Sequence, residues 1–88
     1  MTSKIDAKIE VKVFGPQAES IGEQVMEISV PQLPVSSEDV LAAIPNHYPR
    51  LSDSMRVSRL AINHAFARPG QMIRAEDEVA LIGMISGG

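Results

Sequence analysis

The chain has no cysteine and no tryptophan, and only 3 % of its 88 residues are aromatic. Without cysteine there is no disulfide framework, no thiolate metal ligand and no thiol nucleophile. That absence fits a reducing compartment, and a cytoplasmic location is expected. With so few aromatics the core has to be aliphatic. A basic field is missing as well: 8 Lys and Arg against 11 Asp and Glu leave a net charge of −3. That sign does not attract phosphate backbones or anionic lipids, so neither nucleic acid nor a membrane is expected as a partner. No apolar run approaches the ~18–20 residues that span a bilayer, and the start Met1-Thr2-Ser3-Lys4-Ile5-Asp6 has no apolar signal region. Glycine-rich phosphate loops with a lysine are absent too.

What remains is a short chain, 44 % apolar and 22 % charged, with room for one domain, a sheet and one or two helices. Ile5, Ala7, Ile9, Val11 and Val13 alternate with Asp6, Lys8, Glu10 and Lys12, which predicts a strand with one buried face. Gly15-Pro16 breaks it, residues 17–21 suit one helical turn, and Gly22 suits a left-handed helix end. Met26, Ile28 and Val30 mark a second strand over about 24–30, antiparallel to the first. Pro31 and Pro34 close it. Ser36-Ser37-Glu38-Asp39 reads as an N-cap with an acidic first turn. Val40, Leu41, Ile44 and Tyr48 then form one stripe. Pro45 predicts a helix over about 37–44 with a looser turn to His47. Residues 49–57 read as polar loop, 59–63 as a strand, and 65–67 as a further short one. Pro69-Gly70 and Ala75-Glu76-Asp77 read as turns. The run from Glu78 to Ile85 is apolar on both alternations, the pattern of a central strand covered on both faces or flanked on both sides. A hairpin, a helix and a closing strand beside the first make an α+β fold of the ubiquitin-like β-grasp type. Its sheet is mixed and four- to five-stranded, with one main helix packed on one face. Residues 1–88 are read as a single domain ending in a flexible Gly-Gly tail at 86–88.

Internal chemistry is scarce. His47 and His64 lack metal-ligand spacing and read as turn or surface histidines. The serines form no nucleophile elbow. Glu76-Asp77-Glu78 reads as a solvated acidic turn rather than a cation site. No metal site and no active site of the chain's own are expected.

The carboxyl end differs. Met84 and Ile85 carry the last strand outward, Ser86 leaves the sheet, and Gly87-Gly88 follows. At glycine usage of about 7 %, two glycines at a given pair of positions arise roughly once in two hundred chains. A terminal carboxylate is an anion at neutral pH, able to attack an electrophilic phosphorus. Glycines lack a Cβ, so they pass through a narrow channel and leave the carboxyl carbon unhindered. Both features suit activation of the terminus as an acyl adenylate, and folding needs neither.

The order of elements, Leu60-Ala61-Ile62-Asn63, and Asp77-Glu78-Val79-Ala80-Leu81-Ile82 followed by Ser86-Gly87-Gly88 resemble the ubiquitin-like β-grasp sulfur carriers. That family includes the sulfur-carrier (small) subunit of molybdopterin synthase and the thiazole carrier of thiamine synthesis. The resemblance implies a cycle run by partners. A ubiquitin-activating-like adenylyltransferase uses ATP to adenylate Gly88, and a sulfur donor protein converts the adenylate to a thiocarboxylate. The tail then enters the large subunit of molybdopterin synthase and delivers sulfur to a pterin precursor. Gly87 lets the tail enter; Met84, Ile85 and Ser86 form the apolar base where a partner docks. No cofactor is bound stably, since ATP belongs to the activating partner. The long segment over residues 15–22 favours the molybdopterin branch over the thiazole one. Other sulfur carriers, protein modifiers of the same fold, and a β-grasp binding module without tail chemistry remain the alternatives.

Overall fold

The computed structural model describes residues 7–84; Ile5 of the predicted first strand, and residues 85–88, lie outside them. The opening alternation becomes β1 (Ala7–Val13), which buries Ile9, Val11 and Val13 and exposes Lys8, Glu10 and Lys12. Gly15-Pro16 does more than end this strand. It opens α1 (Gly15–Ile21), with proline in the first turn where its missing N–H costs nothing. The helix therefore starts two residues before the expected turn. It stops at Gly22, whose φ of 75° is left-handed and whose N–H donates to the Ala18 carbonyl at 2.8 Å. The chain returns antiparallel as β2 (Val25–Val30), with Ala7 opposite Val30 and Lys12 opposite Val25.

A two-residue strand, β3 (Val35–Ser36), leads into α2 (Ser37–His47). The cap works as expected: Ser36 Oγ accepts from the Asp39 N–H at 3.1 Å. The helix, however, runs past Pro45 to His47 instead of ending at residue 44. Proline removes only the bond to the Leu41 carbonyl, and it sits in the last turn, where few bonds follow. The Tyr48 N–H still donates to the Ile44 carbonyl at 2.8 Å. Residues 49–57 are likewise not a loop but two 3-10 turns, Pro49–Leu51 and Asp53–Val57. Leu51 enters the core at 1 % exposure. Leu51, Met55 and Val57 are too few and too unevenly spaced over this polar stretch to give a periodicity.

The remaining strands are β4 (Ser58–Ile62), β5 (Ala65–Phe66), β6 (Met72–Ile73) and β7 (Val79–Gly83). Asn63 and His64 join β4 to β5 with positive φ at both residues, 52° and 72°, as a tight two-residue hairpin turn requires. β6 pairs with β3 in a small second sheet that no sequence pattern indicated. β7 is central: it lies parallel to β1 and antiparallel to β4, in the order β2-β1-β7-β4-β5. Its double apolar alternation reflects strands on both sides rather than cover on both faces. Val79 and Leu81 are buried beneath α2, while Ala80 and Ile82 on the opposite face are only half-buried. Val40 and Ile44 of α2 enter one cluster with Met26, Ile28, Leu60 and Leu81. The hairpin, the crossing helix and the parallel closing strand form the ubiquitin-like β-grasp arrangement, with a mixed five-stranded sheet.

Candidate functional site at the root of the carboxyl tail

The face of the sheet turned away from α2 is set by strand alternation. Lys12 of β1 lies beside Ala80 of β7, Ala80 beside Ala61 of β4, and Ala61 beside Phe66 of β5. Small residues in the middle and larger ones at the margins leave an open groove of about 530 Å³, floored by Ala61, Ala80 and Ile82 and walled by Phe14 and Phe66. Phe14 is 55 % exposed and Phe66 43 %. The chain has only two phenylalanines, and both stand in water at this one place. The Arg59 guanidinium lies 4.2 Å from the centre of the Phe66 ring, a cation–π contact that holds the ring in place. Phenylalanine is among the most buried residue types, so a pair of exposed rings beside an apolar floor marks a surface that another molecule covers.

The polar part of the groove comes from Lys12, His64 and Glu78. Lys12 Nζ lies 2.7 Å from Glu78 Oε2, and His64 Nε2 lies 3.4 Å from Glu78 Oε1. The hydrogen bond and charge of Lys12, then the charge of His64, hold the Glu78 carboxyl below the usual carboxylate range. Asp77 accepts from the Arg74 N–H at 2.8 Å and from Asn63 Nδ2 at 2.9 Å, and these bonds lower its pKa as well. The Glu78 N–H completes the clasp by donating to Asn63 Oδ1 at 2.9 Å. Two of the three adjacent acids are thus engaged in locking turns. Among the described residues no group of three His, Cys, Asp or Glu is placed to hold a metal ion.

The two histidines divide. His64 lies at the groove margin, exposed in its turn, whereas His47 serves the fold at the far edge of the sheet. There the Ser29 N–H donates to His47 Nε2 at 3.3 Å, and His47 Nδ1 meets the Ala43 carbonyl at 3.1 Å.

Where β7 ends, the groove meets a second apolar hollow of about 260 Å³, which Phe14, Val57, Leu81, Ile82 and Gly83 help to line. The Met84 N–H donates to the Val57 carbonyl at 2.6 Å, which ties the last described residue to the second 3-10 turn. Met84 is 42 % exposed and Val57 51 %. Ile85, Ser86, Gly87 and Gly88, the other predicted site residues, lie outside the described residues. Phe14, Val57, Phe66 and Gln17 are the members of this region that the sequence reading missed. Phe14 was within reach of it, because position 14 continues the solvent-facing series of Lys8, Glu10 and Lys12.

Residues 11–88 match the ThiS family. The chain belongs to that family. A molybdopterin synthase sulfur carrier subunit from Dictyostelium discoideum is 29 % identical over 83 residues, which cover 92 % of this chain and 96 % of that protein. Among solved structures, SAMP1 from Haloferax volcanii is similar at 27 % identity and a TM-score of 0.73, over 93 % of this chain and all 100 % of that one. A chain of the complex between subunits 1 and 2 of molybdopterin-converting factor from Helicobacter pylori shares the fold. It has 23 % identity and a TM-score of 0.61, covering 93 % of this chain and 100 % of that one. In this ThiS-family chain the exposed rings, the apolar hollow and the end of β7 form one continuous surface at the root of the tail.

Proposed function

We propose that this ThiS-family chain is a sulfur carrier for molybdopterin synthesis, in which Gly88 bears the sulfur. The Gly88 carboxylate attacks the α-phosphorus of ATP in an adenylyltransferase and releases pyrophosphate. Bisulfide delivered by a donor protein then attacks the acyl carbon; the new C–S bond forms as the acyl–phosphate C–O bond breaks, AMP leaves, and a thiocarboxylate remains. Gly87 and Ser86 form the narrow part of the tail, and Ile85 and Met84 extend the apolar surface onto which the partner closes. The large subunit of molybdopterin synthase is the partner that accepts the sulfur. The chain is a carrier subunit within that sulfurtransferase system. ATP is bound by the activating partner, not by this chain.

The observation that carries this reading is the course of β7, which runs centrally through the sheet and delivers the chain to an exposed apolar surface at Met84, within a family match that extends through Gly88. The likeness to a molybdopterin synthase sulfur carrier subunit supports the choice of pathway. The likeness to SAMP1, a small archaeal modifier protein, supports a second reading in which a lysine amine of a target protein, rather than sulfur, displaces AMP. Both readings need the same adenylate. ATP–pyrophosphate exchange with the activating enzyme tests it: deleting Gly88, or adding one residue after it, is expected to abolish exchange and leave the melting temperature unchanged. Exchange that survives either change contradicts the proposal.

A further inference from the structure

Gln17 is a polar side chain only 8 % exposed, on a helix of seven residues at the root of the tail. A buried amide has to find partners or it destabilises the fold. Gln17 Nε2 donates to Ser54 Oγ and to Ser58 Oγ, at 2.9 Å each. Both hydroxyl protons are already committed, Ser54 Oγ donating to the Leu51 carbonyl at 3.0 Å and Ser58 Oγ to the Ser54 carbonyl at 2.7 Å. The serines therefore only accept from Gln17, and this fixes which end of the amide is nitrogen. Oε1 is left facing β7. A methyl added at Gly83 would meet it at 3.0 Å and the amide carbon at 3.2 Å. A side chain at position 83 would therefore press on the Gln17 amide, which would have to shift by a few tenths of an ångström. Ser58, one of the two hydroxyl partners, lies directly opposite Gly83 in the β4–β7 register. The residues next to that pair, Val57 and Met84, are joined by the hydrogen bond from the N–H of Met84, the last of the described residues, to the Val57 carbonyl.

We propose that Gln17 is a positioning residue for the carboxyl end: by bracing the start of β4 against the end of β7 it holds the backbone of Gly83 and Met84, from which the chain continues to Gly88. It thereby sets how Gly88 is presented to the activating enzyme. The proposal rests on the carrier function above. Gln17 touches no reacting atom; it acts through Gly83 and the Val57–Met84 hydrogen bond.

The test compares wild type, Gln17→Ala, Gly83→Ala, the double variant, and the milder Ser58→Ala, each as the full chain at a temperature where all are folded. Two quantities are read: hydrogen exchange at the Met84 and Leu81 amides, and kcat and KM for adenylation of the carrier. Each of the first two single variants is expected to speed Met84 exchange about tenfold with Leu81 unchanged, and to lower kcat/KM about tenfold. Ser58→Ala is expected to fall between them and wild type. The double variant is expected to be no worse than the worse single, because both changes disable one clamp. Multiplying effects, wild-type kcat/KM in the single variants, or equal loss of protection at Leu81 and Met84 would overturn the positioning role. A wild type that is never adenylated overturns the carrier function and this role with it; charging of wild type with unaffected variants overturns this role alone.

Discussion

Lys12 on β1 reaches across to Glu78 at the entrance to β7, Nζ to Oε2 at 2.7 Å, and the pair stands beside the apolar floor formed by Ala61, Ala80 and Ile82. Both side chains are nearly half exposed, so the pair adds little to stability. It gives an otherwise apolar surface a charged margin that a partner can read.

The first prediction concerns that surface. Phe14→Ser and Phe66→Ser remove rings that contribute little to the core, so each is expected to change unfolding free energy by less than about 1 kcal/mol. Each should weaken binding to the activating enzyme at least about tenfold, as loss of an aromatic anchor does. Chemical denaturation and titration calorimetry on the same samples check this. A variant that loses stability and binding in proportion would place the ring in the fold rather than at the interface.

Acid should expose the turn clasps. Glu38 is lowered by the Gly70 N–H, Asp77 by the Arg74 N–H and Asn63, and Glu78 by Lys12. Each group has a folded pKa below its unfolded one, so the unfolded chain binds more protons as pH falls through the carboxylate range. Their stabilisation is complete above about pH 5 and is lost as pH drops below about 4 toward the folded values. Urea midpoints measured from pH 6 to pH 3 should decline over that window. Asp77→Asn should flatten the decline; an unchanged slope would show that the clasp does not discriminate between protonation states.

The outer edge of the sheet supplies a third. Along β2 the amides of Met26, Ile28 and Val30 face β1, in register with the Val13-to-Gln24 bond. Those of Glu27 and Ser29 therefore point outward. They do not stand free: the Glu27 N–H donates to the Tyr48 hydroxyl and the Ser29 N–H to His47 Nε2, both at 3.3 Å. An edge occupied by side chains cannot template another strand. The variant His47→Ala with Tyr48→Phe should speed exchange at the Glu27 and Ser29 amides and promote self-association at high concentration. Sedimentation velocity and amide exchange test it, and a monomer with unaltered exchange contradicts it.

Neighbouring residues of β7 should separate core from interface. Leu81 is fully buried, and Leu81→Ala is expected to destabilise by about 2–5 kcal/mol. Ile82, half-buried on the open face, should lose less than half as much when cut to alanine and should lose partner affinity instead. Denaturation curves for the two variants decide it; equal losses would mean that the open face is part of the core.

Much of this was legible in the residue pattern, because period-two alternation dictates which face of a strand is buried and Ile9, Val11, Met26, Ile28 and Leu60 obeyed it. Ser36 announced the helix start by its chemistry. Pro45 misled because its penalty depends on how many helical bonds follow it, a number the sequence does not carry. Leu51 escaped because the few apolar residues of its stretch keep no steady spacing, and the β3–β6 pair because a two-residue strand has no period. Gln17 escaped for a different reason. Its role comes from Ser54, Ser58 and Gly83, dozens of positions away in the chain and adjacent only after folding. Of the candidate site, the glycines at 87 and 88 lie outside the described residues. On the open face Phe14 could be reached from the alternation of the first strand, whereas Phe66, in a two-residue strand, gave no signal without the register.

The most direct measurement is the intact mass of the chain after incubation with the activating enzyme, ATP and a bisulfide source. Exchange of one oxygen for sulfur at the Gly88 carboxyl should raise the mass by about 16 Da, and the gain should vanish when Gly88 is deleted. A chain whose mass stays unchanged under conditions that charge an established carrier, or a gain that survives deletion of Gly88, would contradict the account.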